Sequence, residues 1–450
     1  MRLLHVSLGI PPLRTGGLTR YCCELMTAQV NKDNEVALLY PGHYSLRGFR
    51  IEENRPWNEI RVFELTNPLP VALTFGVAQP CAFMSTPADV DVYRNFLKCL
   101  KPDIVHVHSF MGIHREFFEI VHELGIPLIF HTHDYYPLCL RCTCIDATGS
   151  LCDKIANPQK CSACCSSTGM TLHKSLIMQS HLYAQLKSSK FTRIIGSKVK
   201  RRMEKVPTAL SCFSDCDRSL IVEYENIIDY NKSIFSLFNV VVCNSRMTMN
   251  RFKTAFPEGN YTLLPITHSG LSFLNTGDCE SRTVKARLSI GYFGGSKRYK
   301  GYYDLLEASR MLHRAHVPFN LNLYGDDYQK IEGLPEAIFH GRLDASEIND
   351  AMKSIDVVVV PSVNPETFGF IVLEAICAGC IVLCASCVGA SELIDERCLF
   401  EPGDVNALAS LLQDCSCGLI SPAPLPQDYP LSMSEQADGL ANIYASAIKG

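Results

Sequence analysis

The sequence predicts an α/β protein built from two doubly wound, Rossmann-like domains, and two observations support this fold class. Short, nearly continuous apolar runs alternate with helical stretches, a pattern typical of parallel sheets covered by helices on both faces. The series stops over residues 266–287, which are rich in turn-forming residues, and starts again with the apolar run Leu288–Phe293. A second series of strands after such a break predicts a second domain.

The apolar runs predict the following strands. In the first domain they are Leu3–Leu8, Val36–Tyr40, Ile104–His108, Pro127–His133 and Val240–Asn244; in the second they are Leu288–Phe293, Asn320–Tyr324, Val357–Pro361 and Ile381–Ala385. Helices are predicted at Leu18–Val30 and, after the proline-rich segment 422–430, at Ser434–Ile448. We therefore predict an N-terminal domain over 1–265 with a helical insert at 170–235, a linker over 266–287, a C-terminal domain over 288–430 and a last helix within 431–450.

Composition bounds the function. The chain has 450 residues, of which 47% are hydrophobic and 20% charged, which excludes disordered, collagen-like and polytopic membrane proteins. Its 42 basic and 46 acidic side chains give a net charge of −4, which argues against nucleic-acid binding as the main function. The first residues lack the apolar stretch of a secretory signal, so we expect a cytoplasmic protein.

One segment resembles a membrane span by length. Residues Phe368–Ala390 contain a single charged side chain, Glu374. Gly379 interrupts the segment, and a carboxylate near the middle of a bilayer would be costly. A helix, a glycine turn and a strand are the better interpretation of these residues.

Cysteine is unusually frequent, with 22 residues in the chain. Seven of them fall within the segment 139–165, where a packed loop of free thiols and a structural zinc site are both compatible with the spacing. Four more, at positions 377, 380, 384 and 387, lie across a predicted helix, turn and strand. Because helix and strand orient side chains differently, these four are interpreted as core residues.

The N-terminal half contains two candidate ligand-binding features. The first strand leads into a loop with Gly16 and Gly17 before a helix, and such glycines permit a close approach to an anion at the helix start, although a plain turn would also account for them. His133 follows the strand from Pro127, at a carboxyl end where ligands bind in parallel sheets. A half-buried histidine beside a capping Asp134 is the alternative interpretation.

A basic run lies within the predicted insert. Eight lysines and arginines occupy positions 187–205 with one acidic residue, Glu204. A solvated helix face and attraction to an anionic membrane surface are both compatible with this pattern.

The second half carries the strongest pattern. Strand Leu288–Phe293 leads into Gly294-Gly295 and then Lys300 at a helix start, which suits a diphosphate. Glu366 and Glu374 are eight residues apart, so two helical glutamates would stand about 12 Å apart along the axis. A hydrolase carboxylate pair is separated by roughly 5–9 Å, so these glutamates are interpreted as two binding groups along an elongated ligand.

These residues resemble a known family. Glu366-Thr-Phe-Gly-Phe-Ile-Val-Leu-Glu374 matches the E-x7-E motif of retaining glycosyltransferases of the GT-B fold, especially family four (glycosyl transferases group 1). Supporting motifs are Gly16-Gly17, Pro102–His108, His131–Asp134, Asn244-Ser245, His340–Arg342, Pro361-Ser362, Ala378-Gly379 and Glu401–Asp404. The resemblance covers nearly the whole chain and is weakest over 44–100 and 170–235.

The resemblance implies two Rossmann-like domains that face each other across a cleft, with a nucleotide-diphosphate sugar in the second and the acceptor in the first. Catalytic roles fall to His133, which would face the donor sugar, Lys300, which would bind the diphosphate, and Glu366, which would contact sugar hydroxyls. Glu374 would hold the ribose. The other donor-binding residues implied are Gly16, Gly17, Gly295, Lys297, Arg298, Phe368, Gly369, Phe370 and Ile371.

One position departs from the family pattern. Many relatives carry an arginine where this chain has Gly295, which puts the second phosphate cation in question, and Lys297 or Arg298 would substitute. The resemblance implies retention of configuration, with no metal ion and no cofactor besides the donor.

The partners predicted are a nucleotide-sugar donor and a glycan or lipid-linked acceptor, with no nucleic acid. The basic run and the apolar segment Leu69–Phe83 suggest peripheral association with the cytoplasmic face of a membrane and a role in cell-surface polysaccharide or lipopolysaccharide assembly. Two alternatives remain: another enzyme on this fold, such as a nucleotide-sugar epimerase or a glycoside phosphorylase, and a non-catalytic nucleotide-sugar-binding subunit.

Overall fold

The computed structural model describes residues 1–84, 88–152, 154–183, 217–271, 287–325, 331–344, 347–427 and 429–449. The chain forms two compact units. The first comprises Met1–Asn244, Met249–Thr267 and Ser432–Gly450, and the second comprises Ser245–Thr248 and His268–Leu431. Each unit is built around one twisted sheet with helices between its strands. The predicted α/β class with two Rossmann-like domains is confirmed.

The first unit contains an eight-stranded sheet in the order β3-β4-β2-β1-β5-β6-β7-β8. The strands are β1 Arg2–Val6, β2 Glu35–Pro41, β3 Arg50–Trp57, β4 Ile60–Thr66, β5 Ile104–Val107, β6 Leu128–Thr132, β7 Val240–Cys243 and β8 Tyr261–Leu263. Its helices are α1 Gly17–Val30, α2 Val90–Leu100, α3 Arg115–Glu123, α4 Pro158–Cys165, α5 Leu172–Met178, α6 Arg218–Phe235, α7 Arg246–Ala255, whose first residues belong to the second unit, and α12 Met433–Lys449.

The second unit contains a six-stranded, entirely parallel sheet in the order β11-β10-β9-β12-β13-β14. Its strands are β9 Leu288–Phe293, β10 Phe319–Tyr324, β11 Ala337–Gly341, β12 Val357–Val360, β13 Ile381–Ala385 and β14 Leu399–Phe400. The helices are α8 Tyr302–Arg314, α9 Ile348–Lys353, α10 Phe370–Cys377 and α11 Val405–Ser416. Connections between parallel strands through helices bring the carboxyl ends of β9 and β12 side by side.

All nine predicted strands form within one or two residues of the predicted bounds, because each is an apolar run buried on both faces. The prediction missed β3, β4, β8, β11 and β14. Strand β3 is polar and pairs with β4 in antiparallel orientation at the sheet edge, so the first sheet is not wholly parallel. Charged side chains are expected on an edge strand, which has only one partner to pair with.

The last helix, α12, packs against α1 in the first unit. Gln436 of α12 donates a hydrogen bond to the Tyr21 hydroxyl at 2.9 Å, and both side chains are fully buried. Leu440 and Tyr444, each at most 1% exposed, continue the buried face of α12. The chain therefore returns to the first unit after completing the second.

Within the described ranges, every helix is too short or too polar to span a bilayer. The segment Phe368–Ala390 instead forms α10, a turn at Gly379 and strand β13. This matches the helix, turn and strand expected from the sequence.

Candidate functional site

Lys300 of the second unit lies in a tight turn after strand β9. Residues Arg298–Lys300 form one turn of 3₁₀-helix, and Gly301 then starts α8 in a left-handed conformation with φ of 71°. A Cβ on Gly301 would stand 1.7 Å from the Pro361 carbonyl oxygen, so only glycine fits. The main-chain NH groups of Val363 and Asn364 both donate to the Tyr299 carbonyl at 3.0 Å. These contacts fix the turn against the loop that follows β12.

Lys300 and Glu366 form the ion pair at the centre of this arrangement. Lys300 Nζ lies 2.9 Å from Glu366 Oε1, and the side chains are 32% and 18% exposed. The Ser362 hydroxyl donates to the same carboxylate oxygen. Two residues predicted to bind a donor, from loops after adjacent strands, therefore meet directly.

The electrostatics of the pair keep both groups charged. Burial alone would lower the pKa of Lys300, but the Glu366 carboxylate outweighs it, and the pKa of Lys300 is raised. Burial alone would raise the pKa of Glu366, but the Lys300 charge and the Ser362 and Lys300 hydrogen bonds lower it. The pair thus presents an ammonium group whose charge is stable and partly accessible to solvent.

The loop bearing Glu366 is held by main-chain contacts. The Thr367 carbonyl accepts hydrogen bonds from the Ser245 hydroxyl at 2.8 Å and the Thr248 hydroxyl at 3.0 Å. The NH groups of Gly389 and Ala390 donate to the carbonyls of Glu366 and Phe368 at 2.9 and 2.7 Å. A Cβ on Gly389 would stand 2.1 Å from the Thr367 carbonyl oxygen, so this approach also requires glycine.

Helix α10 begins directly after this loop, at Gly369 with φ of 100°. Phe368 is 2% exposed, and its ring packs edge-on against Phe370 at 5.6 Å between centroids. The first turn, with Phe370 and Ile371, contains main-chain NH groups that have no partner earlier in the helix. This helix start therefore offers donors suited to a phosphate or a sugar oxygen.

Glu374 lies one turn further along α10 and is buried. His268 Nε2 is 3.0 Å from Glu374 Oε1, and the side chains are 1% and 6% exposed. Glu366 precedes the helix, so the 12 Å spacing calculated for two helical glutamates does not apply. The two glutamates have different surroundings: Glu366 pairs with a partly exposed lysine, and Glu374 pairs with a buried histidine.

Three other residues of the loop after β9, Gly295, Lys297 and Arg298, are also predicted to bind the donor, and they occupy different environments. Gly295 is buried with φ of 67°, and its carbonyl accepts from the Lys297 NH at 2.8 Å and the Tyr292 hydroxyl at 3.0 Å. Lys297 is partly exposed and Arg298 is exposed. Gly295 supplies no side-chain cation, but Lys297 and Arg298, which follow it in the chain, have cationic side chains that reach solvent.

The glycine pair of the first unit forms the start of α1. Gly16 precedes the helix with φ of 124°, and Gly17 is its first residue. Both are exposed, and a Cβ on Gly16 would meet nothing within 4 Å. The conformation at Gly16, rather than crowding, accounts for glycine at this position.

His133 belongs to a layer of five imidazoles at the carboxyl ends of β1, β5 and β6. The other members are His5, His106, His108 and His131. His133 Nε2 lies 3.0 Å from His108 Nδ1, and its ring centroid is 4.8 Å from that of Tyr21. Burial lowers the pKa of His133 to about 3, so its ring is neutral at physiological pH.

Asp134 forms a turn rather than a helix cap. Its Oδ1 accepts the Tyr136 NH at 2.8 Å, and no helix begins at this residue. Burial raises the pKa of Asp134 to about 7. The alternative interpretation, a half-buried histidine beside a capping aspartate, is therefore wrong about the aspartate, because Asp134 does not cap a helix.

The cysteine-rich segment is packed rather than cross-linked. Every described cysteine is a free thiol. Within 139–165, Cys142, Cys144 and Cys165 are buried in three apolar clusters of the first unit. Among described residues, no three of these thiols meet the 4.8 Å spacing at which three groups could share a metal ion. The four later cysteines are all buried, as expected for core residues.

Sequence reasoning missed four residues that shape the second unit's site. Ser362 and His268 hold the two glutamates, and Ser245 and Thr248 hold the loop between strand and helix. Ser362 and Ser245 lay in motifs that had been noticed, so their hydroxyls were the available signal. No pattern in the sequence pointed to His268. The basic run at 187–205 lies outside the described residues.

Two family models match the chain, one within each unit. Residues 15–155 match the model of Glycosyltransferase Family 4, and residues 287–416 match the model of Glycosyl transferases group 1. The chain is similar to the sulfoquinovosyl transferase SQD2 of Arabidopsis thaliana, with 34% identity over 152 residues, which is 31% of this chain and 28% of that relative.

Two solved structures share the fold. Sucrose-phosphate synthase from Thermosynechococcus elongatus has a TM-score of 0.51 at 15% identity, over 100% of this chain and 96% of that one. HepE of Anabaena, solved in complex with UDP, has a TM-score of 0.50 at 13% identity, over 100% of this chain and 98% of that one. At such identities the likeness concerns the fold alone. Family models that match the two units in chain order, on two Rossmann-like sheets, place this chain in the group 1 glycosyltransferases of family four, which have the GT-B fold.

Proposed function

We propose that the chain is a retaining glycosyltransferase that moves a hexose-type sugar from a nucleotide-diphosphate sugar to an acceptor hydroxyl. The observation that carries the proposal is the Lys300–Glu366 ion pair at the carboxyl ends of β9 and β12. It lies inside the region that matches the group 1 model. A charged ammonium beside a helix start is the arrangement that attracts a diphosphate.

The proposed donor site uses the residues of this pair and of α10. Lys300 binds the diphosphate, Glu366 contacts sugar hydroxyls, and the NH groups at Phe370 and Ile371 meet phosphate or sugar oxygens. Glu374 holds the nucleotide ribose, with one carboxylate oxygen oriented by His268 at 3.0 Å. A carboxylate fixed in this way accepts hydrogen bonds from a diol without losing conformational entropy on binding.

The proposed transfer step conserves the configuration of the sugar. The bond between the anomeric carbon and the diphosphate oxygen breaks, and the acceptor oxygen bonds to the same face of that carbon. The acceptor proton passes to the leaving phosphate oxygen. Lys300 and the helix-start amides stabilise the charge that develops on the diphosphate, and the step needs no metal ion.

His133 stays a predicted catalytic residue. Its neutral ring carries one donor and one acceptor nitrogen, the form that hydrogen-bonds a sugar hydroxyl. Its ring is held beside His108 through Nε2, at 3.0 Å from His108 Nδ1.

The acceptor and the location follow from weaker observations. A lipid-linked acceptor at the cytoplasmic face of a membrane, in polysaccharide or lipopolysaccharide assembly, depends on the basic run at 187–205. The apolar segment Leu69–Phe83 no longer supports it, because Leu69, Val71, Val77 and Phe83 are at most 7% exposed within the first unit.

The first experiment is a thermal-shift screen of the purified chain against UDP, GDP, ADP and their sugars, with UDP foremost because HepE was solved with it. A nucleotide at a hundred times its dissociation constant adds roughly 2.7 kcal/mol of stability. We expect a shift with one nucleotide that disappears in Lys300→Met and Glu374→Ala. Lys353→Met, at an exposed ion pair on α9, is the matched control and should keep the shift.

The reaction class needs a second measurement. Turnover of the nucleotide sugar with and without acceptor, followed by NMR of the anomeric centre, should give a retained linkage only with acceptor. An acceptor-independent epimer would instead indicate an epimerase, and binding without turnover would indicate a non-catalytic subunit. Loss of turnover in EDTA that magnesium restores would contradict the metal-free step.

A further inference from the structure

The histidine layer of the first unit is built by strand register. His5 of β1 lies opposite His106 of β5, and His108 follows two residues later on the same face. All three side chains are at most 1% exposed, beneath α1 and α12. Each buried ring nitrogen needs a hydrogen-bond partner or a metal ion in place of the water that it loses on folding.

One ring nitrogen from each of these three histidines converges on a common point. The three nitrogens lie within 4.8 Å of one another. His5 Nδ1 and His108 Nε2 are 2.9 Å apart, and the rings of His106 and His108 have centroids 4.2 Å apart. Two nitrogens bound to one zinc ion at about 2.0–2.1 Å lie at most about 4.2 Å apart, so binding an ion would need small adjustments of these rings.

The opposite nitrogen of each ring is held from outside. His5 Nε2 lies 2.7 Å from the Gln29 amide oxygen, His106 Nδ1 lies 2.6 Å from the Tyr444 hydroxyl, and His108 Nδ1 lies 3.0 Å from His133 Nε2. Metal-bound histidines nearly always donate their other NH to such an acceptor, which fixes the ring and its tautomer. In each of these three contacts the partner atom can accept a hydrogen bond from the histidine. Each histidine can therefore carry its proton on this nitrogen and bind a metal ion through the other.

A hydrogen-bond network without an ion leaves one atom unsatisfied. Within the described part of the chain, His106 Nε2 is buried and has no hydrogen-bond partner. If the Tyr444 hydroxyl donates to Nδ1, then Nε2 is a buried NH without an acceptor, and if Nδ1 donates, Nε2 is a buried lone pair without a donor. An ion between the three rings would bind His106 Nε2 and keep the three outer hydrogen bonds, and it would replace the His5 Nδ1–His108 Nε2 hydrogen bond by two metal bonds.

We propose that His5, His106 and His108 bind one divalent transition-metal ion, with zinc the first candidate, as a structural centre of the first unit. Imidazole nitrogens suit zinc, copper and nickel. The ion ties β1 and β5 to α1 and α12 through Gln29 and Tyr444.

A second triad shares His108 and makes a useful contrast. His108, His131 and His133 also offer nitrogens within 4.8 Å of one another. In the described chain, both ring nitrogens of His131 are buried without a partner, so no hydrogen bond orients this ring toward an ion. The first triad is favoured because each of its rings is oriented from the far side.

The test is a titration of the chelator-stripped full chain with Co²⁺, read by visible d–d absorption. We expect one strong site per chain. His106→Leu and His5→Gln should remove it, and Tyr444→Phe should weaken it by 10- to 100-fold through loss of the outer hydrogen bond. His131→Gln is the matched control and should leave it unchanged.

Three results would overturn the assignment. These are retention of the site in His106→Leu, its loss in His131→Gln, and sulfur-to-cobalt charge-transfer bands, which would place the ion on thiols. If the variants fail to fold, zinc X-ray absorption of the unaltered chain decides the question. A first shell of imidazole nitrogens supports the proposal, and a sulfur shell or the absence of tightly bound zinc refutes it.

Discussion

Replacing Glu366 by glutamine removes the negative charge from the Lys300–Glu366 pair but keeps the size of the side chain. The amide can still accept the Ser362 hydroxyl, so the perturbation is confined to the charge facing Lys300. We expect the second unit to lose stability, because a half-buried ammonium then has no counter-charge.

The magnitude follows from the distance of 2.9 Å between Lys300 Nζ and Glu366 Oε1. Coulomb's law at that distance gives about 6 kcal/mol at an effective dielectric constant of about 20 and about 1.4 kcal/mol in water. Lys300 is 32% exposed, so solvent screening brings the value toward the lower figure, and desolvation of both ions reduces it further. We therefore expect a coupling free energy of about 1–2 kcal/mol.

The assay is a double-mutant cycle of Lys300→Met and Glu366→Gln by urea unfolding. Lys353→Met and Asp350→Asn, at an exposed pair, form the control cycle, where coupling should stay below about 0.5 kcal/mol. Equal coupling in the two cycles would refute the reasoning.

The same cycle has a predicted pH dependence. The pKa of Glu366 is lowered from 4.5, so its contribution is complete above that pH and is lost as the pH falls through the folded-state pKa. The pKa of Lys300 is raised from 10.5, so its contribution is complete below that pH and is lost as the pH rises through the folded-state pKa. The coupling should be constant in between, and a change near pH 7 would contradict the assignment of both charges.

Three further predictions concern glycine, histidine and pH. Gly301→Ala should destabilise the second unit by about 3 kcal/mol or more, since its Cβ would meet the Pro361 carbonyl, whereas Gly333→Ala, with similar φ and open space, should cost about 1 kcal/mol in urea unfolding. His268→Ala should cost about 3 kcal/mol by the same assay because it removes the buried imidazole that lies 3.0 Å from the buried Glu374 carboxylate, and His268→Gln should cost less. Burial lowers the pKa of His114 from 6.5 to about 4, so the unfolded chain binds the proton first; this residue alone should contribute about 2 kcal/mol to the loss of stability between pH 7.5 and pH 5, and His114→Gln should reduce the pH dependence by that amount.

Burial on both faces explains which strands could be predicted. Strands such as β12, whose four residues are all valine, can be predicted because they appear in the sequence as apolar runs. Strand β3 reads Arg-Ile-Glu-Glu-Asn-Arg-Pro-Trp, which has no apolar period, because it lies at the edge and faces water. Strand β14 has only two residues, too few to show a pattern in the sequence, and its assignment as a strand depends on its pairing with β13.

The candidate site was predictable as a set of residues but not as a set of contacts. Lys300 and Glu366 were identified separately, each from its own strand, loop and helix. Their pairing depends on β9 and β12 being neighbours, which strand order decides and local sequence does not. His268 has no local signal at all, since its role arises from contact with a glutamate more than a hundred residues away.

The order of the two units along the chain has a consequence for biosynthesis. The first unit is completed by residues from both ends of the chain: Gln29 donates to the Tyr444 hydroxyl at 3.2 Å, and Tyr21 accepts from Gln436. When only the first 244 residues have emerged from the ribosome, the histidine layer is therefore present, but the helix that covers it has not yet been synthesised. The second unit, nearly contiguous in sequence, can close first. We expect the N-terminal sheet to reach its final stability only after the last helix has packed on it, so truncation before residue 432 should leave a folded second unit attached to an incompletely folded first unit.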